Sequence, residues 1–359
     1  MNTIPTIFNE PLCPYTAVGG KDRLASTGLS AVLLNRGGRF PRRVIFQELE
    51  KIGFDYVISV ESSPDRYDVE ELAGRFPFVR FILLSENISP GRQINLAVSE
   101  LSSPLFFVLW NDLKIIAGGS AGRMAERLCL TQEEQKERAG ETSFIKRLCT
   151  VPVIQNARFE TLPTLSVPAI YGKKVRTVFF TFRREGMQSL YPFDGAGIYD
   201  RERFIRLGGF DGSMKNYHWQ LMDFGFRARL WGEEICCGLQ VKLSYDGEPR
   251  PEDNTAEESY RRFYFKNIAP IFRGDYAHLP FRRFPAYLLS SGEDPFTAWG
   301  DFVESRRWIK TNRFRWRSDA KALVDRWDVS ETASAAEQAA FIDSSALEPV
   351  TDKGGGSES

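Results

Sequence analysis

The segment from Tyr191 to Glu233 holds several residues whose types and spacing could do chemistry. It begins with a turn of small residues, Asp194-Gly195-Ala196-Gly197, where the backbone could approach a ligand closely. Asp223 follows within a helical pattern and has aromatic neighbours; taken alone, it could equally be a capping carboxylate. His218 and Trp219 just before it favour a site, so we predict a pocket whose acid or base is held on a helix. The residues expected to contact substrate are Asp194, Gly195, Gly197, His218 and Trp219.

A second acidic residue, Asp112, follows an apolar run that predicts a buried strand. A carboxylate in that position can bind a divalent cation that bridges phosphates, because hard cations prefer oxygen ligands. One carboxylate alone makes a weak metal site, and an aspartate that caps the next element is equally compatible. Both interpretations of Asp112 stay open on these residues alone.

Two further polar positions could contact a nucleotide. Glu61 ends a predicted strand and could accept hydrogen bonds from a base or a sugar hydroxyl, although a plain turn fits as well. In the segment 87–95, Pro90 and Gly91 mark the start of a helix whose backbone N–H groups could face a phosphate. Arg92 would add a charge-assisted contact, while ordinary helix initiation is the alternative.

The elements that must position these residues alternate in the first third of the chain. We predict strands at 29–34, 55–60, 79–84 and 105–109, and helices at 41–52, 69–76 and 91–101. Short strands separated by helices predict a doubly wound open sheet, where ligands bind beyond the carboxyl ends of the strands. Polar residues follow those ends: Asn35, Glu61, Glu86, Asn111 and Asp112.

Later segments have other patterns. Residues 118–146 are charged and predict a solvated helix or a loop, whereas 150–155 and 175–182 predict strands and 257–268 a helix. The chain after residue 330 is small and acidic and ends in glycine and serine, which predicts a disordered tail.

Tryptophans alternate with basic residues between positions 299 and 327. Such a face could lie on an anionic membrane surface or on a nucleic-acid backbone. Packed helices with arginine stems lying along them explain the pattern as well. We favour packing and keep peripheral membrane contact as the alternative.

Composition narrows the class of protein. The 359 residues are 42% hydrophobic, and the 47 basic residues balance the 47 acidic ones, so no nucleic-acid partner is expected. The five cysteines lack paired spacing, which predicts neither a zinc site nor a disulfide framework. Because the start lacks the pattern of a signal peptide and no apolar run is long enough to span a bilayer, we expect a cytoplasmic protein, at most peripheral at the inner face of the membrane.

Taken together, residues 29–268 resemble the family 2 glycosyltransferases. The polar residue Glu61 after the second strand, the turn 87–95 and Trp110-Asn111-Asp112 at the fourth strand match the family's motifs in order. The most continuous match is the stretch from Gly195 to Asp211, including Gly208-Gly209-Phe210-Asp211, followed by the helix that carries Asp223.

The resemblance implies a GT-A fold: α/β, with a doubly wound mixed sheet flanked by helices. It implies an inverting, metal-assisted transfer of a sugar from a nucleotide-diphospho-sugar to a glycan, lipid-linked or protein acceptor, in polysaccharide or surface-glycan biosynthesis. Asp223 would be the base, with Asp246 and Asp194 as second choices, and Asp112 would hold Mg²⁺ or Mn²⁺. The residues expected to bind the donor are Asn35, Glu61, Arg92, Asn111 and Asp112.

The chain departs from the family pattern at two acidic motifs. Trp110 stands where the first acid of the D-x-D motif is expected, and Gln220-Leu221 stands where an acidic pair is expected. These departures favour an alternative, a catalytically silent GT-A domain that binds a sugar nucleotide or a glycan.

The predicted organisation has four parts. Residues 1–28 form an N-terminal extension, and 29–275 form the GT-A domain, with a nucleotide-binding half (29–116) and an acceptor half (117–275). Residues 276–330 form a helical, aromatic and basic C-terminal extension, and 331–359 form a disordered acidic tail.

Overall fold

The computed structural model describes residues 13–36, 41–62, 68–128, 147–171, 174–247, 249 and 252–327. The predicted tail, 331–359, lies outside the described residues, as does most of the predicted solvated segment 118–146.

The first half of the fold is a parallel sheet with connecting helices. Its strands are β2 (Leu29–Leu34), β3 (Val57–Glu61), β4 (Val79–Leu84) and β5 (Leu105–Trp110), and its helices are α1 (Arg42–Ile52), α2 (Val69–Arg75) and α3 (Pro90–Ser99). All six residues of β2 are buried, as expected for a parallel strand covered on both faces. The predicted order of strands and helices is confirmed here. Residues 15–19, in the part predicted as an extension, add the antiparallel edge strand β1 (Tyr15–Gly19) beside β4.

The second half continues the same sheet with mixed strand directions. It contains β6 (Leu113–Ala117), β7 (Arg147–Gln155), β10 (Gly197–Asp200) and β11 (Glu234–Tyr245), with the hairpin of β8 (Leu165–Tyr171) and β9 (Lys174–Phe180) between β7 and β10 in the chain. The nine-stranded order is β1-β4-β3-β2-β5-β10-β7-β11-β6. β10 is antiparallel to both β5 and β7, so it joins the two halves and places the turn before it beside the end of β5.

The remaining elements are helices and one small hairpin. They are a helix at 121–128 (α4), α5 (Arg201–Leu207), α6 (Tyr217–Leu230), α7 (Glu258–Phe263) with a π-helical continuation (Tyr264–Ile268), β12 (Ile271–Arg273), β13 (Tyr276–His278), α8 (Arg283–Ser291), α9 (Pro295–Asn312) and α10 (Ala320–Asp325). Within the described residues, no helix combines the length and the apolar character that crossing a membrane requires.

The C-terminal tryptophans are largely packing residues. Trp316 is 2% exposed, and Trp308 stacks on Trp231 with ring centroids 5.7 Å apart. The favoured packing interpretation is therefore confirmed for this part of the extension. Trp299 remains 46% exposed, on α9.

Candidate active site

A cavity of about 870 Å³ opens where the ends of β2, β3 and β5 meet α3 and α6. This is the edge at which doubly wound sheets bind ligands. Lining residues come from the strand ends (Asn35, Arg36, Ser62, Trp110), the start of α3 (Ser89, Pro90, Arg92), the turn before β10 (Asp194), the start of α6 (Tyr217, His218, Leu221) and a loop (Glu252, Asp253). Of the predicted donor-binding and substrate-binding residues, Asn35, Arg92, Asp194 and His218 lie in this cavity.

Arg36 lies at the centre of the polar floor, although its sequence context did not single it out. Its Nε and Nη2 donate to the two carboxylate oxygens of Asp112 at 2.9 and 3.0 Å, and its Nη1 donates to Asp194. The guanidinium lies 4.3 Å from the ring centroid of Trp110. Burial lowers the pKa of Arg36, but Asp194 and Asp112 raise it more, to above its ordinary value. Arg36 is thus a fixed cation at the strand ends.

Asp194 is held in an unusual backbone conformation. Its φ is 54°, in the left-handed region that few non-glycine residues adopt. The indole of Trp110 and the hydroxyl of Tyr217 donate to its carbonyl at 2.9 and 3.1 Å, and Tyr245 donates to its carboxylate at 2.8 Å. Burial raises the pKa of Asp194 to about 6, although Arg36 and Tyr245 act in the opposite direction. The turn therefore aims a carboxyl that titrates near neutrality into the cavity.

His218 and Glu252 form a hydrogen-bonded pair between two cavities. His218 Nδ1 lies 2.7 Å from Glu252 Oε2, which also accepts from the Tyr191 hydroxyl at 3.0 Å. Both residues line the large cavity and also a second one of about 660 Å³, whose walls include Trp219 and Tyr260. Trp219, predicted to contact substrate, thus lies in the second cavity. The Glu252 partner was not predicted, since a carboxylate in a polar loop has no distinguishing local pattern.

The start of α3 is tied to α6 by Gln220. The side chain of Gln220 accepts from the backbone N–H of Gly91 at 3.0 Å and donates to Ser89 at 2.7 Å. The N–H of Gly91 is consequently not directed at a phosphate, unlike the expectation from the helix start. Gln220 is fully buried and links two walls of the cavity.

Asp223, the predicted base, is buried and does not line either cavity. Its carboxylate is 0% exposed and accepts from Arg227 at 2.7 Å and from Asn267 at 2.8 Å, with Lys266 Nζ at 3.2 Å. Burial alone would raise its pKa, but Arg227 and Lys266 hold the pKa below its usual value. The sequence placed Asp223 in the first turn of its helix, whereas α6 begins at Tyr217, which puts Asp223 in the interior.

Other predicted residues also have structural partners instead of a place in the cavity. Glu61 is fully buried and accepts from Arg42 at 2.9 Å, so it does not face a nucleotide. Asn111 accepts from the backbone N–H of Arg36 at 3.1 Å. A Cβ on Gly195 would lie 2.1 Å from the Tyr217 hydroxyl, and one on Gly197 would lie 2.7 Å from Cys149 Sγ. These two glycines serve close packing beneath the site.

The donor set does not fit a divalent cation at Asp112. Both Asp112 oxygens accept from Arg36, and the Asp194 oxygen nearest to it accepts from Arg36 and Tyr245. Across the part of the chain that the structure describes, no group of three His, Cys, Asp or Glu side chains could hold a metal ion. Trp110 offers an aromatic ring where a second acid would offer oxygens.

No protein-family model and no curated protein matches the chain. Among solved structures, it is similar to GalNAc-T7 with UDP, GalNAc and Mn²⁺ at a TM-score of 0.52 and 11% identity, over 83% of this chain and 56% of that one. The structure of S. aureus TarS matches at a TM-score of 0.43 and 11% identity, over 77% of this chain and 43% of that one. The chain thus spans little more than half the length of GalNAc-T7. At this identity the likeness shows the fold alone, and the predicted GT-A fold, a mixed sheet flanked by helices, is confirmed.

Proposed function

We propose that the chain is a glycosyltransferase that moves a sugar from a nucleotide-diphospho-sugar to a hydroxyl of a glycan, lipid-linked or protein acceptor. The observation that carries the proposal is a pair of cavities that share His218 and Glu252 in their walls, the larger of which lies at the carboxyl ends of the strands. Two substrates that react with each other need adjoining pockets and a proton acceptor at the junction. Membership of family 2 and a role in polysaccharide or surface-glycan synthesis remain predictions from the sequence resemblance.

The large cavity is the proposed donor site. Asn35 and Ser62 follow the strand ends, and Arg92 lies on α3, so hydrogen-bonding groups and a cation line a space large enough for a sugar nucleotide. The aromatic walls of the second cavity, Trp219 and Tyr260, suit the apolar faces of a sugar ring, and this cavity is the proposed acceptor site.

His218 is the proposed base, in place of Asp223. When Nδ1–H donates to Glu252, the lone pair on Nε2 can accept a proton. In an inverting transfer, the acceptor hydroxyl oxygen bonds to the anomeric carbon as the bond from that carbon to the diphosphate oxygen breaks. The hydroxyl proton goes to His218, and the electron pair leaves with the diphosphate. No step uses the predicted Mg²⁺ or Mn²⁺, because the oxygens of Asp112 already bind Arg36.

The alternative is a silent GT-A domain that binds a sugar nucleotide or a glycan without transferring sugar. Trp110 and Gln220-Leu221, which stand at positions where acids are expected, favour it. A thermal-shift and hydrolysis screen with UDP-, GDP-, dTDP- and CMP-sugars separates the two. Stabilisation with turnover supports the transferase, stabilisation without turnover supports the silent domain, and neither effect with any donor contradicts both.

The role of His218 is testable with the other histidine of the chain as a matched control. We expect His218→Gln to lower turnover of the active donor by about 10²–10⁴-fold, the usual contribution of a general base, with nucleotide affinity retained. His278→Gln, on β13 outside the cavities, should leave turnover unchanged.

Asp223→Asn distinguishes the two candidate bases. It should lower the thermal midpoint, because Arg227 and Lys266 lose a buried counter-charge, a loss that typically costs about 3–5 kcal/mol. Wild-type turnover in His218→Gln, or unchanged stability with lost turnover in Asp223→Asn, would return the base to Asp223.

A further inference from the structure

Three features converge on the Arg36 guanidinium. Asp112 clamps it with both carboxylate oxygens, Asp194 binds it from the turn before β10, and the Trp110 ring covers one face at 4.3 Å. Its side chain is only 10% exposed, yet Arg36 lines the donor cavity. Such a guanidinium is pre-oriented, because two acids and a ring fix a side chain that is otherwise rich in rotamers.

Trp110, which stands where an acid is expected, belongs to a segment that binds Arg36. Oxygen ligands suit a divalent metal ion, whereas an aromatic face suits an organic cation. The Trp110-Asn111-Asp112 segment supplies a ring, an amide oxygen that accepts from the Arg36 backbone N–H, and a bidentate carboxylate. Every one of these groups binds Arg36, so the segment is built around an arginine.

We propose that Arg36 is the resident cation of the donor site and binds the diphosphate of the nucleotide sugar in place of a divalent metal ion. The inference deepens the proposed function and rests on it. A guanidinium has five N–H groups, and the bonds to the two carboxylates use three of them, so two remain for phosphate oxygens. Planar guanidinium and phosphate match each other in bidentate geometry.

Two acids surround the Arg36 guanidinium. Asp112 and Asp194 together carry up to two negative charges against the one positive charge of Arg36, and this pairing stabilises a cation that is largely buried. As the bond from the anomeric carbon to the diphosphate breaks, the electron pair moves onto the leaving oxygen. A fixed guanidinium beside that oxygen stabilises the developing charge without reorganising. Arg92 lines the same cavity from α3 and adds a second positive side chain.

The first experiment uses the wild-type chain. Binding of UDP, GDP, dTDP and CMP is measured by calorimetry in EDTA and again in MnCl₂, and uptake of Mn²⁺ is followed by loss of the free-ion EPR signal. We expect one nucleotide to bind with the same affinity in both buffers and to recruit no Mn²⁺. Binding that appears only with Mn²⁺, with uptake of the ion, overturns the Arg36 inference but leaves the proposed function standing. No binding of any nucleotide in either buffer overturns the proposed function as well.

The second experiment changes the side chain. Arg36→Met should weaken nucleotide binding by about 10- to 100-fold, the value of a charge-assisted hydrogen-bond pair, and Arg36→Lys should lie between it and wild type. Arg43→Met, which removes an exposed arginine of α1, is the control and should bind as wild type does. Circular dichroism checks that each variant is folded, and the wild-type comparison in the two buffers does not depend on any variant. Equal affinity in folded Arg36→Met would overturn the inference.

Discussion

Asp194 is a residue of the cavity whose pKa lies well above the usual range of a carboxyl. Burial raises its pKa to about 6, from an ordinary value of 3.8. Between those values the folded chain holds a proton that the unfolded chain has lost, so the free energy of unfolding falls as pH rises through this window. The contribution of Asp194 to stability is complete below pH 3.8 and is lost above pH 6.

Asp194→Asn should remove this dependence. A shift from 3.8 to about 6 corresponds to about 3 kcal/mol. Between pH 4 and pH 7 the wild type should therefore lose about 3 kcal/mol of unfolding free energy relative to the variant. Urea unfolding of both proteins at several pH values measures the difference. A difference that stays constant across the range would mean that Asp194 titrates normally. Asp275→Asn, which removes an exposed carboxylate between β12 and β13, is the control.

The sequence predicted two acidic residues of this site but not the arginine that binds both of them. Asp112 and Asp194 were predicted from strand ends and a small-residue turn, which are local patterns. Arg36 joins them across 76 and 158 positions of the chain, and no local pattern predicts that pairing. Asp223 lies deeper in its helix than the sequence suggested, because α6 begins at Tyr217, and the Arg227 side chain that pairs with it lies on the same helix.

At the scale of elements, α6 lies unusually close to the segment that leads into the Asp194 turn. A Cβ on Gly225 would lie 2.4 Å from the carbonyl oxygen of Leu190, a contact that real side chains do not make. Leu190 and its neighbour Tyr191 precede the turn by only a few residues. The glycine therefore sets the distance between the helix that carries His218 and the segment that leads into the turn carrying Asp194.

Gly225→Ala should lower the free energy of unfolding by about 1–3 kcal/mol, because the added methyl group forces helix and segment apart. Gly300→Ala is the matched control, since Gly300 also lies within a helix, α9, and a methyl group on it would point into open space, with no neighbouring side chain within 4 Å. It should raise stability by about 0.5–1 kcal/mol through the better helix propensity of alanine. Urea unfolding measures the free energy of unfolding of both variants. If the two substitutions change it equally, the contact of Gly225 with Leu190 does not destabilise the Gly225→Ala variant.

The two halves of the sheet differed in how far sequence could predict them. In the parallel half, buried runs such as 29–34 alternate with helices, so local patterns determine both the elements and their order. In the second half, β10 is only four residues long and pairs with strands nearly 50 and 90 positions away. Its place between β5 and β7 depends on contacts distant in the chain, which periodicity does not reveal.

At the scale of the whole molecule, charge is balanced but exposed apolar area is not evenly spread. Leu289 on α8 and Phe296 on α9 are 90% and 89% exposed, and Phe281, which precedes α8, is 56% exposed. Arg306 lies over the Phe281 ring at 3.6 Å. Trp316 and Trp327 are buried, whereas Trp299 of the predicted membrane face is 46% exposed. We define the exposed apolar face of the extension by Leu289, Phe296, Phe281 and Trp299.

We predict that this face binds anionic vesicles weakly. Leu289→Ser with Phe296→Ser should reduce co-sedimentation with phosphatidylserine vesicles, because burying each apolar side chain at the interface contributes about 1.5–3 kcal/mol. Val44→Ser, which changes an exposed apolar residue of α1, is the control and should sediment as wild type does. If the wild-type chain sediments equally with phosphatidylcholine vesicles or not at all, the membrane prediction is wrong.

The hydrogen bond of 2.7 Å between His218 and Glu252 is a partition shared by both cavities. A ligand that displaces either side chain on one side reshapes the wall on the other side. If the two cavities hold donor and acceptor as proposed, thermodynamic reciprocity requires that each substrate changes the affinity for the other by the same factor. On the proposed function, the partition therefore makes the two substrates effectors of each other.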